Sequence, residues 1–164
     1  MTNHGRTALA IPLLLALAAC TTTPDPLSGT FADISPGDAA RNDSRGTTVR
    51  WGGTVAAVEP LPDRTCFQIV GRELNARGRP ILDDKSSGRF LACRSGFYDP
   101  EVFAEGRSLT LIGTIDGAET RMIGEYAYLH PRLAADVVFL WPEDEADRSP
   151  PIRYNIGFHY GRFR

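Results

Sequence analysis

The feature that most limits what this chain can fold into is a strict two-residue alternation. In Ser108–Asp116, Leu109, Leu111, Gly113 and Ile115 alternate with Ser108, Thr110, Ile112 and Thr114. Successive side chains of a strand point to opposite faces, so this period predicts a β-strand. In Thr47–Val58, Val49, Trp51, Val55 and Ala57 share one parity, and Gly52-Gly53 predicts a bulge or sharp bend. Thr65–Val70 and Arg89–Arg94 predict a second and a third strand. Asp116-Gly117 reads as a turn, Thr120–Tyr128 as a strand of mixed parity, and Leu133–Trp141 as a strand with Leu133, Ala135, Val137, Phe139 and Trp141 on one face. With 16 Gly and 12 Pro in 164 residues, the chain favours turns and short strands over long helices.

One short helix is predicted over residues 99–106: Asp99 as N-cap, Pro100 at the first position, Gly106 at the end. A helix between the third and fourth strands of a small barrel is the OB arrangement. The fold class expected is therefore all-β, a small antiparallel OB-like β-barrel with one short helix, spanning 47–141. Closure removes the open edges that such strands would otherwise expose.

Ahead of this domain lies a segment for targeting. Arg6 is followed by the uncharged run Ala8–Ala19. As a helix that run is roughly 18 Å long, short of about 30 Å of hydrocarbon, and reads as a signal-peptide core. Leu17-Ala18-Ala19-Cys20 looks like a lipobox, which implies cleavage before Cys20 and lipid on its thiol. Residues 1–19 are then the signal peptide and 20–46 a lipid-anchored linker. By resemblance to lipoproteins of enterobacterial type, in which Asp after the cysteine retains the protein in the inner membrane, Thr21 implies transfer to the outer membrane. The membrane, through that lipid, is the expected partner.

Removing the leader takes away only Arg6 among charged residues, so a formal charge of −2 becomes about −3. A chain that tracks nucleic-acid phosphates needs a basic surplus, and none is present. With Cys20 lipidated, Cys66 and Cys93 form an even pair in an oxidising compartment and are a disulfide candidate, with two buried thiols as the alternative. Residues 142–164 form an acidic, Pro-rich and then basic-aromatic tail, with Arg153, Arg162 and Arg164 beside Tyr154, Phe158, Tyr160 and Phe163.

No HExxH, Walker A or GxSxG pattern occurs. His130, placed in a turn before Pro131, and His159 lack metal-ligand spacing, and Asp83-Asp84 read as solvated loop acids. No catalytic residue, metal or cofactor is expected. Trp51, Phe97, Tyr98, Tyr126 and Tyr128 are candidates for an aromatic ligand face, with core filling as the competing role.

Several fragments occur in order: Trp51-Gly52-Gly53, Gly78-Arg79-Pro80, Gly88-Arg89-Phe90, Gly96-Phe97 with Asp99-Pro100, Gly106-Arg107 with Thr110 and Gly113, Gly124-Glu125-Tyr126 with Tyr128 and Pro131, and Leu140-Trp141. With the lipobox, they resemble the Slp family of outer-membrane lipoproteins over roughly residues 27–142. That resemblance implies a non-enzymatic lipoprotein on the periplasmic side of the outer membrane. It would support the envelope under starvation or acid stress, through contacts with other envelope components. A periplasmic glycan- or lipid-binding module is the alternative.

Overall fold

A computed structural model describes residues 23–143. Five strands follow one another: β1 (Thr48–Pro60), β2 (Arg64–Arg72), β3 (Gly88–Ser95), β4 (Ser108–Ile123) and β5 (Tyr126–Leu140). They close in the order β1-β2-β3-β5-β4, with β4 returning to β1. Every neighbouring pair is antiparallel except β3–β5, which is parallel. This is the OB-like barrel expected from the sequence, although the helix on which that expectation leaned lies elsewhere.

The barrel is filled, not hollow. Val49, Trp51, Val55, Phe67, Ile69, Phe90, Leu109, Leu111, Ile115 and Leu133 meet in one buried cluster. Trp51 packs edge-on against Phe90 with ring centroids 5.1 Å apart, and its indole nitrogen donates to the carbonyl of Ile34. One end of the barrel is plugged by Tyr98 and Phe103, which pack edge-on and tilted against Phe67. The other is closed by Ile34 and Ala39 from the chain ahead of β1.

Two glycines mark where strands come closest. A Cβ on Gly53 would lie 2.0 Å from the carbonyl oxygen of Val70, and one on Gly113 would lie 2.1 Å from that of Ala134. Gly52-Gly53 is therefore a point of close approach. The register shift in β1 falls later, between Val55 and Ala57.

Several details differ from the sequence-based expectation. The helix is α1 (Pro36–Arg41), ahead of β1 rather than between β3 and β4. Ser35 caps it by accepting from the Asp38 amide, and Pro36 opens it. Residues 99–106 make turns instead: Asp99 accepts from the Glu101 amide through its side chain and from Val102 and Phe103 through its carbonyl. The chain there is spent on seating Phe103 in the barrel end.

Asp116-Gly117 is no turn. β4 runs through it with a register shift, and the hairpin turns at Gly124, whose φ is +60°. His130 accordingly sits inside β5, not in a turn. A further shift opposite Ile112 and Gly113 leaves Asp136 as the extra residue. It inverts the faces after Ala135, so Val138 and Leu140 join the inner cluster while Val137, Phe139 and Trp141 face outward.

The stretch 20–46 is also less of a linker than its composition suggests. Within it, a 3₁₀ turn at Asp25–Leu27 and α1 both pack on the barrel, and Leu27 is fully buried. Leu27, Ile112 and Trp141, with Phe31, Val137 and Phe139, form a second apolar cluster on the outside of the barrel wall.

Candidate functional site

Two outer walls of the barrel carry the features that bear on function. The first is the wall of β2 and β3. The inward residues there are Phe67, Ile69, Phe90 and Ala92. Side chains alternate, so Cys66, Gln68, Leu91 and Cys93 point outward. Cys66 and Cys93 are directly opposed in the register and are joined as a disulfide, with Cα atoms 4.1 Å apart.

β4 and β5 outrun their neighbours. β1 accompanies β4 only as far as Thr114, and β3 accompanies β5 only from Arg132. Pro131, with no amide hydrogen to offer, stands where that parallel pairing begins. The free part, residues 117–131, is a two-stranded arm that folds back over the β2–β3 wall. His130 Nε2 meets Gln68 Nε2 at 3.1 Å, and Nδ1 lies 2.9 Å from the Tyr128 carbonyl. Arg121 reaches Glu59 of β1 at 3.0 Å and Glu119 at 2.9 Å. Beneath the arm His130 is fully buried, and outward-facing Leu91 is 1% exposed.

In OB barrels this wall and the β4–β5 loop are where oligonucleotides and oligosaccharides bind. Here the chain covers the wall with its own hairpin. Burial holds the His130 imidazole below its ordinary pKa, and the nearby charges of Arg89 and Arg121 push the same way. Burial works against the charge of Arg121, and its hydrogen bonds to Glu59 and Glu119 more than offset that, so its pKa is raised.

The second wall is that of β1 and β4. The segment 23–34 runs across it together with the excursion between β2 and β3. Arg50 donates to the Leu27 carbonyl and lies over the Phe31 ring at 5.2 Å. Thr110 Oγ1 donates to the Gly78 carbonyl and accepts from the Trp141 indole. Between Phe31–Pro36 on one side and Arg72–Leu74 on the other is a groove of about 670 Å³, lined also by Arg50, Trp51 and Gly52.

The five aromatic candidates do not make one face. Trp51 is 4% exposed in the core, and Tyr98 is half-buried in the plug. Phe97 is 73% exposed just past the end of β3, and Tyr126 is 70% exposed at the start of β5. β3 and β5 run parallel, so those two lie at opposite ends. Tyr128 packs under the arm, its ring 5.1 Å from that of His130. Sequence reasoning missed the arm because its tip pattern is irregular. The signal was the uninterrupted strand-forming stretch on both sides of Gly124-Glu125.

Asp83 turns its carboxylate onto the Lys85 amide. Among the described residues no group of three or more His, Cys, Asp or Glu is placed to hold a metal ion. Cys20, His159 and the tail from 144 onward lie outside the described residues.

Fold and surface together define a small, filled OB-like barrel whose β2–β3 wall is covered by its own hairpin. The sequence model of the Outer membrane lipoprotein Slp family matches residues 17–163, and the chain belongs to that family. It is 31% identical over 158 residues to the uncharacterized lipoprotein YeaY of Escherichia coli K12, covering 94% of this chain and 81% of that one. It is 29% identical over 167 residues to the outer membrane protein Slp of the same organism, covering 98% and 87%. Among solved structures, a small single-stranded DNA-binding protein from Streptomyces coelicolor superposes with a TM-score of 0.39 and 13% identity, covering 62% of this chain and 97% of that one.

Proposed function

We propose that the chain is cut before Cys20, acylated there, and held on the periplasmic face of the outer membrane. There it works without catalysis, by contact with other envelope components, as a support for the envelope under starvation or acid stress. The observation that carries this reading is the leader and Leu17-Ala18-Ala19-Cys20 standing just ahead of a closed barrel, in a chain of an outer-membrane lipoprotein family. A thiol-linked diacylglycerol plus an acylated amine holds far better than a single acyl chain, because each buried CH₂ contributes about 0.8 kcal/mol. The covered β2–β3 wall supports a contact role over nucleic-acid binding.

The test is radioactive palmitate labelling with density-gradient fractionation. Wild type should carry label and sediment with outer membrane, and Cys20→Ser should lose both. Label retained by Cys20→Ser, or wild type confined to the inner membrane, refutes the reading. A second reading, a glycan- or lipid-binding module, draws support from the groove that Arg50 and Trp51 help to line. It requires Cys20→Ser protein to bind peptidoglycan fragments or lipid micelles, and Trp51 fluorescence to shift as it does so.

A further inference from the structure

We infer that the excursion between β2 and β3, residues 73–87, is the face that rests on the bilayer, with Ile81 and Leu82 entering its interface. This rests on the proposed acylation of Cys20. Tether length decides the orientation. Thr23 is three residues beyond Cys20, and three Cα steps span at most about 10 Å. Thr23 is not loose: its hydroxyl donates to the Ala76 carbonyl at 3.2 Å. Leu27, four residues on, is fully buried, and its carbonyl is held by Arg50. The lipid therefore leaves the protein within about 10 Å of the tip of that excursion, which keeps this face of the barrel close to the membrane.

The excursion suits the place. It is a narrow ribbon: the Asn75 amide donates to the Arg79 carbonyl, Leu74 pairs with Pro80, and the Ile81 amide donates to the Glu73 carbonyl. That puts Ile81 and Leu82 within roughly 15 Å of the tether. They are 41% and 52% exposed, two adjacent apolar side chains in contact with water. Arg77 is exposed at the tip and Lys85 beyond Leu82, where long cationic side chains reach phosphate while their stems stay in the interface.

Glu73, Asp83 and Asp84 balance Arg77, Arg79 and Lys85, so residues 73–87 carry no net formal charge. The contact is therefore apolar insertion next to an anchor, not attraction to anionic lipid, and it should vary little with salt. A competing membrane contact is the arm, whose outward face carries Met122 (59% exposed) and Leu129 (42% exposed) on the other wall.

The test uses the full acylated chain in phosphatidylethanolamine–phosphatidylglycerol vesicles, part of the lipid brominated high on its acyl chains. Leu82→Trp and Met122→Trp each add one indole to the buried background of Trp51 and Trp141, which is subtracted with wild type. Acylation is first checked by mass spectrometry and vesicle flotation, and folding by the thermal midpoint. Trp at 82 should be quenched several-fold more than Trp at 122, in low and high salt alike. Equal quenching, the reverse order, or no quenching at either position overturns the orientation while leaving the anchor standing. An unacylated Cys20 overturns the anchor and the orientation together, and is seen before any quenching is read.

Discussion

The two outer walls of this barrel meet the same need by different means. On the β1–β4 side, Leu27 and Phe31 of the N-terminal segment seal the surface by packing with Ile112, Val137, Phe139 and Trp141. On the β2–β3 side the arm seals it with directional contacts: His130 to Gln68 and Arg121 to Glu59, laid over the wall that carries the Cys66–Cys93 disulfide. An apolar seal depends on area removed from water and is indifferent to pH. A polar seal depends on protonation state and geometry, and each buried group left without a partner costs about 1–3 kcal/mol. The first is built to stay shut, whereas the second has groups that respond to solution conditions.

The largest effect that sharpens this contrast is expected at the disulfide. Replacing both Cys66 and Cys93 by Ala should lower unfolding free energy by about 3–4 kcal/mol, the loop-closure value for their spacing of 27 residues. Urea titration measures it, and a loss below about 1 kcal/mol would mean that strand pairing alone holds the wall. Close behind is Leu27→Ala, which should cost about 3 kcal/mol by the same titration at any pH from 5 to 8. A pH-dependent loss there would break the distinction between the two seals.

The third effect is the pH response itself. Burial lowers the His130 pKa below its ordinary 6.5, so the unfolded chain binds the proton more tightly than the folded one. Stability from the neutral imidazole is fully present above about 6.5 and is lost as pH falls from there toward the depressed folded value. Urea midpoints at pH 7.5 and 5 should diverge in wild type, and diverge less in His130→Gln. The smallest effect is Arg121→Ala. Its partners are partly exposed, so the loss should be about 0.5–1 kcal/mol and should shrink in high salt.

Much of the barrel was legible in the sequence because alternation is a local property. It failed wherever one extra residue entered a strand. Ala56, Asp116 and Asp136 each shift the register, and each inverts the parity of the residues after it; no local pattern announces them. The helix shows a second limit. Ser35-Pro36 and Asp99-Pro100 are equivalent start signals, yet only the first propagates. There Asp38 bonds back to Ser35 and forward to Arg41, whereas after Asp99 the chain turns to seat Phe103. Among candidate site residues, the disulfide pair followed from counting cysteines. The aromatic face did not form, since ring type says nothing about direction, and Trp51 and Tyr98 serve the interior.

The contacts at Gly53 and Gly113 also set what later change in the sequence can touch. Each position meets a neighbouring backbone so closely that even one methyl group would prise two staves apart, so the bore of the cylinder works as a fixed gauge. The projecting hairpin is under no such restraint. Pairs of residues added at Gly124-Glu125 would lengthen its reach and leave the gauge unaltered, which makes it the adjustable part of an otherwise unyielding object.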